Sequence, residues 1–183
     1  HVVAGAAEDD IAVGAGAVAV EAGAVEDDVA GEAVLAVGLI VTENIIENTG
    51  YNGIISDRGA NIITRNTIHD AMLVQNDGAG IWLESAGNTV EENFIFDSLG
   101  NTETSGRFNG FAFGPIAMGI YVNSDANTIR DNVIARNDPD GIFVNQRFDN
   151  VISGNTLSNN ADNQVRLRGS GANAFNTTYT GNL

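Results

Sequence analysis

Two acidic residues, Asp57 and Glu84, each lie four positions after the glycine of a Gly-Ile pair. The glycines are Gly53 and Gly80. If the two segments are adjacent strands of one sheet, we expect the carboxylates about 5 Å apart. Such a pair suits a Ca²⁺ site or the acid and nucleophile of a catalytic site. A solvated acidic face is the alternative, and the acidic composition of the chain favours it.

Two columns of side chains are predicted to point outward from this sheet, because strand residues alternate between its faces. The first column holds Ile55, Trp82, Tyr121, Phe143 and Arg166. The second holds Asp57, Glu84, Asn123, Asn145 and Arg168. Sugar rings stack on aromatic faces, and amides and carboxylates bond to sugar hydroxyls. The two columns, here called the binding strip, therefore predict contact with a polysaccharide.

Arg166 and Arg168 are the paired cations of the strip, and they would clamp a sugar carboxylate or neutralise the acidic wall at the last repeat. Aromatic residues are also common on exposed sheet faces. Inserted residues Phe108, Phe111 and Phe113 would then simply cover the aromatic column.

His69, followed by Asp70, is a weaker candidate for a general base, since a surface histidine explains it better. The other histidine is His1, and nothing in the sequence places the two together as a copper site. The chain has no lysine, which excludes a Lys/Arg catalytic pair, and no nucleotide-binding or zinc motif. Calcium is the one cofactor that the residues suggest.

An internal repeat organises these residues. Strand starts recur at Gly53-Ile54, Gly80-Ile81, Gly119-Ile120, Gly141-Ile142 and Gln164-Val165. One asparagine landmark recurs at Asn61, Asn88, Asn127, Asn150 and Asn173, and another at Asn44, Asn66, Asn93, Asn132 and Asn155. A repeat of this length is typical of a solenoid.

Each repeat of about 22 residues contains three short alternating segments, as at 128–131, 133–136 and 142–146. Three strands per coil with an asparagine corner predict an all-β, right-handed parallel β-helix of seven or eight coils. Asparagine tolerates a left-handed backbone at a corner, and stacked amides can bond to one another as a ladder.

The asparagine corners and Gly-Ile strand starts over about residues 38–183 resemble those of the pectate-lyase-like superfamily of parallel β-helix proteins. The resemblance implies that the Gly-Ile strands form the first sheet and that third-turn loops wall a groove along it. The superfamily includes lyases, hydrolases, epimerases, tail spikes and surface proteins, so the resemblance leaves the activity open.

Two insertions, at 71–79 and within 99–118, are predicted in the third turn, where loops commonly carry binding residues. Residues 1–37 form a separate segment, built almost wholly of Ala, Gly, Val, Asp and Glu. Small and β-branched residues favour leading coils of the solenoid, and a disordered acidic leader is the alternative. The predicted division is thus 1–37 and a β-helix domain at 38–183.

The net charge of −16, with eight arginines as the only cations, excludes nucleic acid as a partner. No apolar run is long enough for membrane insertion. Such a lysine-free acidic surface is typical of halophilic proteins or of acidic secreted ones.

The sequence predicts an extracellular or cell-surface protein that binds a polysaccharide or surface glycan, with lyase or epimerase activity left open. The alternative is a non-catalytic structural solenoid, such as an adhesion, spike or filament subunit, that associates end to end or side by side.

Overall fold

The structure is a computed structural model that describes residues 38–101, 116–169 and 177–183. It also describes the backbone of short strands at 2–3, 11–13, 17–18, 20–21, 33–35, 107–108 and 111–112. Apart from one small hairpin, the strands lie in parallel sheets. No helix in the described part is long and apolar enough to cross a membrane.

Three parallel sheets form the sides of the molecule. The first sheet contains β2 (Ile11–Val13), β5 (Ala33–Leu35), β8 (Ile54–Ser56), β11 (Gly78–Leu83), β16 (Ala117–Val122), β19 (Asp140–Asn145) and β22 (Asn163–Arg168). The second contains β3 (Ala17–Val18), β6 (Ile40–Thr42), β9 (Ile62–Thr64), β12 (Thr89–Glu91), β17 (Thr128–Arg130), β20 (Val151–Ser153) and β23 (Thr178–Thr180). The third contains β7 (Ile45–Glu47), β10 (Thr67–His69), β13 (Phe94–Phe96), β18 (Val133–Ala135) and β21 (Thr156–Ser158).

Two smaller pairings lie outside these sheets. Strands β1 (Val2–Val3) and β4 (Val20–Glu21) pair in parallel, and β14 (Arg107–Phe108) and β15 (Phe111–Ala112) form an antiparallel hairpin within the second insertion.

Apart from the β14–β15 hairpin, successive strands belong to different sheets, and within the three large sheets each strand pairs with its equivalents in the neighbouring coils. The coil formed by β17, β18 and β19 matches the three predicted segments, except that β19 begins earlier, at Asp140. The predicted parallel β-helix is therefore confirmed. Described strands at 11–13 and 33–35 join the first sheet, while the division at residue 37 stays a prediction.

The core is filled by columns of Ile, Val and Leu, with up to two residues per coil from the first sheet and one from each of the other two. A glycine column in the first sheet lies directly against the third sheet. A Cβ at Gly119 would come within 2.5 Å of Ile134 Cγ2 and 2.6 Å of the Gly141 carbonyl oxygen. Glycine is therefore required in the Gly-Ile pairs because the first and third sheets pack closely at that position. A larger residue there would push the two sheets apart.

The left-handed residue at the asparagine corner precedes the asparagine, contrary to the expectation from the sequence. Positive φ angles of 54–59° occur at Glu43, Arg65, Glu92 and Asp131, each just before a ladder asparagine. The next coil has Gly154 at this place, with φ of 66°. Asparagine is therefore needed for its amide rather than for its backbone freedom.

The amides form the predicted ladder. The backbone N and side-chain Nδ2 of Asn93 both donate to Asn132 Oδ1, each at 3.0 Å. Asn132 in turn donates to Asn155 Oδ1 in the same way. Because these side chains are buried, the ladder satisfies polar groups that water cannot reach.

Two further ladders follow the same rule. One runs through Asn61, Asn88, Asn127 and Asn150 of the other predicted landmark, whose last member, Asn173, lies outside the described residues. The second, which the sequence reading missed, links Ser98, Asn137 and Asn160 at the start of the third turn. The later coils are thus held at three corners and the earlier ones at two, which fixes the strand register that positions the binding strip.

Candidate functional site

The register of the first sheet places the predicted first column in one line. Trp82 pairs with Ile55 and with Tyr121, Tyr121 pairs with Phe143, and Phe143 pairs with Arg166. The column therefore runs along the solenoid axis with one side chain per coil, about 4.8 Å apart.

The aromatic rings of this column stack on one another. Trp82 and Tyr121 lie with centroids 5.0 Å apart at 21°, and Tyr121 and Phe143 lie 5.2 Å apart at 31°. The Arg166 guanidinium covers the far side of Phe143, 5.0 Å from its centroid, and Tyr51 meets Trp82 edge-on. Stacking at the inter-coil spacing is favourable, so neighbouring side chains cover the faces of these rings. A ligand would therefore contact the ring edges.

Burial is consistent with this arrangement. Tyr121 is 8% exposed and Phe143 is 5% exposed, whereas Trp82 is half-buried. Ala79 and Met118 complete this small apolar cluster. The side chains of residues 102–115 in the second insertion, including Phe108, Phe111 and Phe113, lie outside the described residues, so their predicted role as a cover stays a prediction.

The second column provides the exposed polar surface. Asp57, Glu84 and Arg168 are exposed, and Asn123 and Asn145 are half-buried between them. Asn145 and Arg168 are direct register partners in β19 and β22. The charge along the strip therefore changes from negative at the early coils, through two neutral amides, to positive at the last.

The Tyr121 hydroxyl joins the two columns. Asn145 Nδ2 donates to the Tyr121 hydroxyl oxygen at 2.9 Å. Burial raises the pKa of Tyr121 above its ordinary value, more than this hydrogen bond lowers it, and the nearby Asp77 carboxylate adds to the rise. The hydroxyl therefore keeps its proton and can donate it to a ligand oxygen.

The Arg166 guanidinium already has interaction partners within the protein. Its Nη1 lies 3.3 Å from Asp140 Oδ2, a carboxylate with no exposed surface, while the guanidinium also covers Phe143. Asn163 Nδ2 donates to the other oxygen of Asp140 at 2.6 Å. The arginine thus compensates a buried charge, and binding a sugar carboxylate would compete with that pairing.

Arg147 is a residue of the strip that the sequence reading missed. Its Nη2 donates to Asn123 Oδ1 at 3.1 Å, and within the described ranges neither Arg147 nor Arg168 forms a salt bridge. Both guanidinium charges act on the Tyr121 hydroxyl and lower its pKa slightly. Continuing the alternation of β19 two residues past Asn145 would have identified Arg147 as outward-facing.

The remaining candidates are separated from this cluster. Asp57 and Glu84 stand at the other end of the strip, and the described part of the chain contains no group of three or more metal-binding side chains. Because Ca²⁺ takes six to eight oxygen ligands, two carboxylates supply only part of a site, and calcium here stays a prediction.

His69 lies on the third sheet, away from the strip. Its ring stacks on Phe96 with centroids 4.9 Å apart. Nε2 is 3.1 Å from Glu47 Oε2, and Nδ1 is 2.7 Å from Asp70 Oδ2. With both nitrogens against carboxylates, the ring is a structural contact between coils. The other histidine, His1, lies outside the described residues.

The first insertion is fixed beside the strip by hydrogen bonds between the third turns. Asn76 Nδ2 donates to the Asn101 carbonyl oxygen at 2.7 Å, and the Asn101 backbone N donates to Asn76 Oδ1 at 3.0 Å. The Tyr51 hydroxyl donates to the Asp77 carbonyl oxygen at 3.2 Å. These bonds hold Asp77 on the third-turn side of Tyr121.

Sequence comparison identifies the repeat as one that other proteins share. The profile of a family described as "Right handed beta helix region" matches residues 29–182. No curated protein and no solved structure matches the chain significantly. The comparisons therefore establish the fold and its handedness, and any function has to be argued from the geometry of the strip.

Proposed function

Because the chain belongs to the right-handed β-helix family, whose coils present a continuous outer sheet, we propose that it is an extracellular glycan-binding protein. The observation that carries the proposal is the polar column of the strip beside the Tyr121 hydroxyl. The guanidiniums of Arg147 and Arg168 form no salt bridge within the described ranges, although the chain has a net charge of −16, and both act electrostatically on that hydroxyl. Guanidiniums that no carboxylate neutralises are available to pair with an anionic group of a ligand.

Each part of the strip has a role in this proposal. The Asn145 and Asn123 amides and the Tyr121 hydroxyl bond to sugar hydroxyls, and Arg168 pairs with a sugar carboxylate. Asp57 and Glu84 accept hydrogen bonds from hydroxyls at the other end. The edges of Trp82, Tyr121 and Phe143 limit how deeply a sugar ring lies.

The distance along the strip between the carboxylates and Arg168 favours binding over lyase or epimerase chemistry. Those reactions need a base and a group that neutralises the carboxylate of the same sugar. Glu84 and Arg168 are separated by three coil steps, about 14 Å at the usual strand spacing. Asp57 lies one step further away, so neither carboxylate reaches a sugar held by Arg168.

The second candidate is a structural solenoid that associates with other copies. Among the described residues, β22 and β23 are the last strands of their sheets and their outer edges pair with no strand, whereas backbone hydrogen bonds with Leu183 cover part of the edge of β21. Unpaired strand edges are templates for association. Light scattering over a concentration series tests this candidate, because growth of rods without any glycan would favour it.

The test of glycan binding uses Trp82, the single tryptophan, as a fluorescent reporter within the strip. A panel of neutral, sparsely acidic and polyuronate polysaccharides is titrated into the protein, with calorimetry as a second readout. Asn145→Ala and Arg168→Gln are each expected to weaken binding about tenfold, the value of one charge-assisted or buried hydrogen bond.

Arg130→Gln is the matched control, since it removes the same charge from the second sheet, where Arg130 pairs with Glu91. It should leave affinity unchanged. Equal losses in Arg130→Gln and Arg168→Gln, or no binding to any polysaccharide of the panel, would overturn the proposal.

A further inference from the structure

The charges of the strip are ordered along the solenoid axis, and the order restricts the kind of glycan that fits. Glu84 and Asp57 mark one end, and Arg168 marks the other. A chain lying along the axis with about one sugar per coil would place three or more sugars between the two ends. Each sugar therefore meets a different electrostatic environment.

The positive end carries two guanidiniums from neighbouring coils. Arg147 follows β19, and Arg168 ends β22 beside its register partner Asn145. Arg147 is oriented by its bond to Asn123, so less conformational freedom is lost when a ligand binds. Two guanidiniums and an amide match a carboxylate or a sulfate ester.

The opposite end disfavours anions. A sugar carboxylate placed near Asp57 or Glu84 meets a like charge, with no described cation paired to either residue. At about 4 Å in water each such contact disfavours binding by about fivefold. A homopolymeric uronate would meet both carboxylates at once, and the costs multiply.

We propose that the strip binds glycans in one direction and recognises a single anionic sugar at Arg147 and Arg168, with neutral sugars extending toward Glu84 and Asp57. The ligand class is a sparsely acidic glycan rather than a polyuronate. This inference rests on the proposed glycan binding and adds its selectivity and polarity.

The test compares three polysaccharides of matched length: a neutral xylan, a glucuronoxylan with occasional uronate branches, and polygalacturonate. Wild-type protein is expected to bind the glucuronoxylan at least tenfold more tightly than either of the others. The paired variant Asp57→Asn with Glu84→Gln should raise affinity for polygalacturonate about 25-fold, from two contacts of about fivefold each. It should leave affinity for the glucuronoxylan nearly unchanged.

Arg147→Gln and Arg168→Gln locate the anionic site. Each should remove the preference for glucuronoxylan over neutral xylan. Arg58→Gln is the matched control, because Arg58 is an exposed arginine directly after Asp57 at the acidic end of the strip. Titration with a sulfated xylan separates sulfate from carboxylate as the preferred anion, and either preference supports the proposal.

The possible outcomes distinguish failure of this inference from failure of the proposed glycan binding. Tightest binding to polygalacturonate, unchanged by the Asp57 and Glu84 variants, would refute the selectivity and leave glycan binding standing. Equal effects of Arg58→Gln and Arg168→Gln would show a general charge effect and refute the site. Failure of all polysaccharides to bind would overturn the proposed function and this inference together.

Discussion

The Asn132→Ala substitution tests whether the amide ladder holds the solenoid together. Asn132 Oδ1 accepts from both the backbone N and Nδ2 of Asn93, and its own Nδ2 donates to the Val90 carbonyl oxygen at 3.0 Å. The side chain is 1% exposed, so water cannot replace these contacts. Alanine removes all of them while leaving the backbone free to keep its conformation.

The expected cost follows from the groups left without partners. Asn93 Nδ2 retains the carbonyl oxygens of Ile63 and Glu91. The Asn93 backbone N–H loses its acceptor, and the Val90 carbonyl loses one donor. Each unsatisfied buried group costs about 1–3 kcal/mol, and since Val90 loses only part of its bonding we expect about 2–4 kcal/mol in total.

Asn182→Ala is the matched control at the last rung of the same ladder. Asn182 Oδ1 accepts from Asn155 N and Nδ2, yet the side chain is only half-buried. Water can take its place, so we expect less than about 1 kcal/mol. Urea denaturation followed by circular dichroism, with hydrogen exchange at the Asn93 amide, measures both variants. Equal losses below about 1 kcal/mol would refute the reasoning.

Three further predictions concern packing and pH. Gly119→Ala should lower stability by about 1–3 kcal/mol in urea denaturation, because the new Cβ overlaps Ile134. Burial, with help from nearby carboxylates, raises the pKa of Asp138, so its charge opposes folding above that pKa. Asp138→Asn should therefore stabilise the protein at pH 7 and not below about pH 4, where both states are protonated. The hydrogen bond from Arg136 lowers the pKa of Asp97, so Arg136→Gln should reduce stability near neutral pH, with the difference disappearing as acid protonates Asp97.

Much of the fold could be predicted from the sequence because each coil repeats the same local pattern. The alternation of apolar residues located the strands, and the equal spacing of Asn127 and Asn132 with their next-coil equivalents sets the register. The two outward columns followed from register alone. A solenoid is predictable in this way because its contacts join neighbouring coils.

Features that depend on side-chain conformation were not predictable. The sequence did not show that Trp82 and Tyr121 stack on each other, because the orientation of a ring depends on what its neighbours leave open. Nor did it show that Arg166 compensates the buried Asp140, since a carboxylate within the first sheet has no distinct local pattern. The left-handed residue was placed one position late, because Glu and Arg at these sites carry no signal for positive φ.

The three-corner hydrogen bonding has a consequence for how such a chain changes length during evolution. Between Asn127 and Asn150, Asn132 and Asn155, and Asn137 and Asn160, the offset is 23 residues in each case. A duplication or deletion of one such block returns every strand to an equivalent neighbour. Coil number can therefore vary by single genetic events, whereas the two third-turn insertions show that loops vary separately. Length and surface can evolve as independent traits on this architecture.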